Sequence, residues 1–151
     1  MGKANETESD FPEFLSHLEF LGYEIEAGGQ DMEKGVAARH RHRADLWVCR
    51  RFMGISLTVT FGMGQNSITY LSDYLQLMNR LNKRSRVGLF YTDADDGKPN
   101  VHMYALYTAR YEKRSFGVFM DIFHSDIEEM RNTSDFDFFT EDGLINVAEK
   151  Q

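Results

Sequence analysis

Ile55-Ser56-Leu57-Thr58-Val59-Thr60-Phe61-Gly62-Met63 alternates apolar residues with small polar ones. Successive side chains of a strand point to opposite faces, so this stretch predicts a half-buried strand with one apolar and one polar face. Gly54 marks a turn or bulge just before it. Working backwards, 46–53 reads as a strand containing Trp47, Val48 and Cys49. The segment 36–43 reads as another, with one very polar face, and 23–27 as a brief one ended by Gly28-Gly29. Asp10 and Pro12 mark a helix start; Phe14, Leu15, Leu18 and Leu21 recur at helical spacing, and Gly22 is the stop. Working forwards, Leu71, Tyr74, Leu75, Met78 and Leu81 predict an amphipathic helix over 67–83 with Ser67 as its cap. A strand over 87–92, a turn over 93–100 and a strand over 101–111 follow. Ser115 caps a last helix carrying Phe116, Phe119, Met120, Phe123, Ile127 and Met130.

The order is α-β-β-β-α-β-β-α, with about five strands and three helices, and helices cannot serve as regular crossovers throughout it. It implies an α+β fold: a mostly antiparallel sheet with helices on one face. Three regions are expected: a flexible acidic N-terminus over 1–10, one α+β domain over 11–131, and an acidic aromatic tail over 132–151. Phe136, Phe138 and Phe139 in that tail are too apolar to leave in water, so the tail should dock. At 151 residues, 42% hydrophobic and 27% charged, the chain is long and apolar enough to build a core. No apolar run approaches the roughly 18 residues of a membrane span, and the polar N-terminus is unlike a secretory signal. The single Cys49 excludes an intramolecular disulfide and fits a reducing compartment, so a cytoplasmic location is expected.

The net charge of −7 is unevenly distributed. Residues 1–33 carry −8, 34–86 carry +8, 87–120 are neutral and 121–151 carry −7. A basic middle between acidic ends has two readings: a surface for an anionic partner, or a face neutralised by the chain's own acidic ends. The overall negative charge disfavours nucleic acid and membrane surfaces at long range.

Sequence signals of catalysis are weak. His40 and His42 would share one side of a strand, but a zinc site needs a third and fourth ligand. Counting from Asp93, Gly97 falls at position five and Lys98 at six, so the calcium-loop template fails. Gly62 and Gly64 give half of a phosphate-binding fingerprint, with Ser67 where the third glycine belongs. No Gly-x-Ser-x-Gly elbow is present, and Cys49, between Val48 and Arg50, reads as a sheet residue. No cofactor or metal is assigned. The strongest set is basic: Arg39, Arg41 and Arg43 projecting from one strand face, Arg50 and Arg51 on the next strand, and Arg80, Lys83, Arg84 and Arg86 near the end of the second helix, with Trp47 nearby. A cationic face with an aromatic suits an acidic polypeptide segment or another polyanion.

The stretch Leu77-Met78-Asn79-Arg80-Leu81-Asn82-Lys83-Arg84-Ser85-Arg86-Val87-Gly88-Leu89-Phe90-Tyr91 resembles the YbjN family, the bacterial sensory transduction regulators: a helix with spaced Asn and Arg, a short basic turn, then a strand with a Tyr near its end. The Asp96-Gly97 turn, the strand from Val101 and the helix ending in Asp126-Ile127-Glu128-Glu129-Met130 continue the likeness. The resemblance implies a fold like that of type III secretion chaperones, small acidic dimeric proteins that bind other polypeptides. It supplies no catalytic or ligand residues. The basic strand at 39–43 and the acidic aromatic tail depart from the family pattern.

The resulting expectation is a non-enzymatic protein-binding module, chaperone-like or regulatory and homodimeric, with Arg39, Arg41, Trp47, Arg50 and Arg84 as partner contacts. The alternatives are a nucleic-acid or nucleotide binder using the same basic face and the turn at 62–67, and, more weakly, a metal-dependent enzyme using His40 and His42.

Overall fold

The computed structural model describes residues 3–26, 35–93, 99–133 and 135–140. Gly28-Gly29, the turn at Asp96-Gly97, and Leu144, Ile145 and Val147 lie outside the described residues. In chain order the elements are α1 (Lys3–Phe20), β1 (Tyr23–Ile25), β2 (Val36–His40), β3 (Leu46–Arg50), β4 (Ile55–Gly62), α2 (Asn66–Thr69), α3 (Leu71–Arg84), β5 (Leu89–Asp93), β6 (Asn100–Tyr107), α4 (Lys113–Asn132) and α5 (Phe136–Phe139). Six strands form a sheet of order β1-β2-β3-β4-β6-β5. The pairs β1–β2, β2–β3 and β3–β4 are antiparallel. Thr60 bonding His102 and Met63 bonding Pro99 make β4 and β6 antiparallel as well. The expected α+β fold with an antiparallel sheet is present, with six strands and five helical segments among the described residues where about five and three were anticipated.

The chain divides into two compact units, Met1–Val59 with Tyr104–Asp121, and Thr60–Met103 with Ile122–Gln151. In the first, Phe11, Phe14, Leu15 and Leu18 form the buried stripe of α1. Phe14 is met edge-on by Tyr107, Tyr111 and Phe116, with ring centroids 5.0–5.7 Å away. The alternation predicted for 55–63 holds in Ile55, Leu57 and Val59, all fully buried, and β2 and β3 add Val36, Ala38, Leu46 and Val48. In the second unit, Tyr74, Leu77, Met78 and Leu81 bury one face of α3. The tail docks as far as it is described: Phe136 and Phe139 are buried, Phe136 edge-on to Phe61 and Phe139 against Tyr74, and Thr140 bridges Met63.

The outer edge of β5 is closed by side chains. Asn82 donates from Nδ2 to the Phe90 carbonyl (2.9 Å) and accepts from the Phe90 N–H (2.6 Å). The Ser85 hydroxyl donates to the Gly88 carbonyl and the Asp126 carboxylate accepts the Gly88 N–H. These contacts occupy groups that would otherwise template pairing with another strand.

Several boundaries differ from expectation for local reasons. The helix start assigned to Asp10 and Pro12 lies inside α1, which begins at Lys3. Strand β2 stops at His40, because the chain must turn to bring Leu46 opposite Ala38, and residues 41–43 form the bend. Arg41 and Arg43 therefore do not extend the strand face that carries Arg39. Ser67 does not cap a helix: it is buried in α2 and its hydroxyl donates to the Gly64 carbonyl at 2.7 Å. Tyr70, with φ −115° and ψ 51°, separates α2 from α3. Ser115 is also not a cap. Helix α4 begins at Lys113, and the Glu112 carboxylate accepts the Arg114 and Ser115 N–H groups at 3.2 and 2.6 Å. A bond with the Ser115 side chain, and then those with the Ser115 and Arg114 N–H groups, hold the Glu112 carboxyl below its ordinary range.

Candidate functional site

The basic set is split between the two units. Arg39, Arg41, Trp47 and Arg50 belong to the first, on and around β2 and β3, and Arg84 ends α3 in the second. Arg39 shares the outward face of β2 with Ala37, whose cross-strand partner is Trp47. Its Nε donates to Glu26 at 2.6 Å, and Asp45 lies 3.7 Å from Nη1. One of the strongest expected contacts is thus partly neutralised by neighbouring carboxylates, as is Arg80 by Asp135 of the tail at 2.7 Å. Exposed pairs of this kind are worth about 0–1 kcal/mol, so a partner's carboxylate can displace them at little cost.

Trp47 lies over Gly35 and is half exposed. A Cβ on Gly35, at φ +117°, would stand 2.7 Å from Trp47 Nε1 and 2.8 Å from Cys49 Sγ, so only glycine lets the indole lie flat there. Beyond Arg50, the β3–β4 turn carries Arg51, Phe52 and Met53 outward, and Phe52 is 91% exposed. The turn is held by the Arg51 N–H bonding the Gly54 carbonyl (3.1 Å) and by Arg51 Nε donating to Ser56 (3.0 Å). The turn tip leaves a phenylalanine and a methionine in water after two arginines. The sequence showed Phe52 and Met53 only as the end of a strand; the short span from β3 to β4 makes them a tip.

The two histidines considered for metal occupy other roles. The His40 ring faces Tyr23 with centroids 4.9 Å apart, its Nε2 lies 3.2 Å from the Leu21 carbonyl, and its Nδ1 accepts the His42 N–H. His42 sits in the bend, where its ring lies edge-on to that of His40 with centroids 6.3 Å apart. Among the described residues no group of three or more His, Cys, Asp or Glu is placed to hold a metal ion. The turn at 62–67 spends its N–H groups internally: Met63 on the Pro99 carbonyl, Gly64 on the Phe139 carbonyl.

Two arrangements were not legible in the sequence. In the second unit, Asp93, His102 and Thr60 form a hydrogen-bonded chain across β5, β6 and β4, with His102 Nε2 2.5 Å from Asp93 and Nδ1 2.8 Å from the Thr60 hydroxyl. Tyr91 stacks on the His102 ring at 4.8 Å. In the tautomer whose Nε2–H donates to the carboxylate, Nδ1 accepts from the Thr60 hydroxyl. The bond from His102 holds the Asp93 carboxyl below its ordinary range. Carboxylate, imidazole and hydroxyl in this order can orient a hydroxyl; here the chain also ties three strands together.

In the first unit, a groove of about 400 Å³ runs along α1, lined by Pro12, Glu13, Ser16, His17, Phe20, Tyr111 and Lys113. His17 is buried and bonds the Tyr111 hydroxyl at 2.9 Å. Burial, and then the charge of Lys113, lowers its pKa. The unfolded chain therefore takes up this proton first, so His17 contributes stability that is complete above its ordinary value of 6.5 and declines as pH falls below it. Urea denaturation at pH 7.5 and 5.5 should show a loss of stability at the lower pH that is smaller in His17→Gln; equal losses in both proteins would contradict the buried neutral ring.

No protein-family model matches the sequence, and no curated protein matches it. Among solved structures, the fold is similar to that of YbjN from E. coli, described as a proposed transcription regulator. The two chains are 12% identical with a TM-score of 0.59, over 78% of this chain and 84% of that one. The likeness is one of fold. Among the described residues no helix is long and apolar enough to cross a membrane.

Proposed function

We propose that this chain is a non-enzymatic polypeptide-binding module, chaperone-like or regulatory, that acts in the cytoplasm as a homodimer and belongs to the family its helix-to-strand stretch resembles. The observation that carries the reading is the β3–β4 tip, where Phe52 and Met53 stand in solvent directly after Arg50 and Arg51, on the turn that follows the strand of the half-exposed Trp47. Burying such side chains against a partner is favourable at about 25 cal/mol per Å² of apolar surface. Arg50 and Arg51 beside the tip, and Arg39 and Arg41 toward the β2–β3 bend at the opposite end of β3, select an extended segment with acidic residues flanking its apolar anchor. Arg84, in the other unit, is a second contact in this proposal. The regulatory description of the similarly folded YbjN supports the same class of function.

Reversing charge with Arg39→Glu and Arg41→Glu tests it. Both side chains are exposed, so stability should change by no more than about 1 kcal/mol. Quantitative capture from a lysate of the source cells should lose at least tenfold of a polypeptide that the unmodified chain retains after a moderate salt wash. Unchanged capture would remove these arginines from the account. Recovery of nucleic acid that falls off steeply with salt would select the nucleic-acid reading instead.

A further inference from the structure

We propose that the groove along α1 binds a free α-amino acid with an apolar side chain. Its volume, about 400 Å³, lies within the range of small-molecule sites, about 300–1,000 Å³. Three rings line it. Phe20 is 80% exposed and meets His17 edge-on at 6.3 Å, while His17 meets Tyr111 edge-on at 5.8 Å. A ring or branched aliphatic group laid against Phe20 and Pro12 removes apolar surface that the chain alone leaves wet.

The groove is held open before any ligand arrives. Arg110 grips Asp10 with Nε and Nη2 at 3.0 and 3.2 Å, and the Tyr111 N–H reaches the same carboxylate at 3.4 Å. The bond between His17 and Tyr111 fastens the loop to α1 further along. Both walls are therefore set by contacts that a ligand need not form, which reduces the ordering cost of binding.

Charge selects the ligand class. Glu13 on α1 and Lys113 at the start of α4 are exposed on the lining, and among the described residues neither forms an ion pair. Opposite unpaired charges beside an apolar groove match a molecule that carries an ammonium and a carboxylate on one carbon and an apolar group on the same carbon. Glu13 takes the ammonium, Lys113 takes the carboxylate, and Phe20 takes the side chain. This inference stands apart from the polypeptide-binding proposal, which uses other residues.

Isothermal titration of the full chain with L-phenylalanine, L-leucine, 3-phenylpropionate and phenethylamine tests it. The two amino acids should bind, and the two singly charged analogues should bind at least tenfold more weakly. Glu13→Gln and Lys113→Gln, both at exposed positions, should each weaken the amino acids about tenfold, a change of about 1.4 kcal/mol. No heat from either amino acid at millimolar concentration, equal affinity for all four probes, or unchanged affinity in both variants would each overturn the proposal.

Discussion

Asp126→Ala should be among the most destabilising single substitutions in the chain, costing about 3 kcal/mol and lowering Tm by roughly 10 °C. Asp126 is a buried carboxylate on α4. It accepts the N–H groups of Arg86 (3.1 Å), Val87 (2.9 Å) and Gly88 (2.9 Å), the residues that lead from α3 into β5. Alanine leaves these donors without their acceptor, and a buried donor left unpaired costs about 1–3 kcal/mol. It also frees the Gly88 N–H on the outer edge of β5, so the variant should aggregate more readily on warming. Asp126→Asn keeps one acceptor oxygen but adds donors to a site that already holds three, and it should fall between the two. Urea denaturation checks the order; a loss below about 0.5 kcal/mol for alanine would show that the turn does not depend on the carboxylate.

The second large effect is expected at Gly54, and it bears on the proposed contact surface. Gly54 has φ +84°, a region that L side chains rarely adopt. A Cβ there would also stand 1.7 Å from the Tyr107 carbonyl oxygen and 3.0 Å from that of Ala109. Both obstacles are backbone, so no side-chain rotation relieves them. Gly54→Ala combines backbone strain with overpacking and should cost about 2–4 kcal/mol. Because the Gly54 carbonyl accepts the Arg51 N–H that closes the tip, the substitution should also shift the positions of Phe52 and Met53. A denaturation curve within about 0.5 kcal/mol of the unmodified chain, with unchanged amide shifts at 51–54, would contradict the reading.

The sequence made the core legible wherever burial follows a simple period. Ile55, Leu57 and Val59 alternate inward as their spacing predicts, and Phe14, Leu15 and Leu18 line one face of α1. It failed where a tertiary contact overrides local preference. Ser67 and Ser115 are good capping residues by type, but Ser67 is drawn inside by the Gly64 carbonyl, and Glu112 takes the N–H groups that open α4. The polar alternation of 36–43 resembles a strand, but antiparallel pairing with β3 forces the bend after His40. The basic residues could be read as a set but not as a place, since a linear pattern cannot show that Arg39 meets Glu26 and Asp45 or that Arg80 meets Asp135. The groove was invisible for the same reason: His17 and Tyr111 are 94 positions apart.

The most direct test of the polypeptide-binding account is photocrosslinking in the source cells from p-benzoylphenylalanine placed at Phe52, with Gln76 on the exposed side of α3 as control. The account predicts a discrete polypeptide adduct from position 52 that is absent from position 76 and lost when Arg39→Glu and Arg41→Glu are added. Equal adducts from both positions, adducts to nucleic acid, or no adduct from position 52 would contradict it.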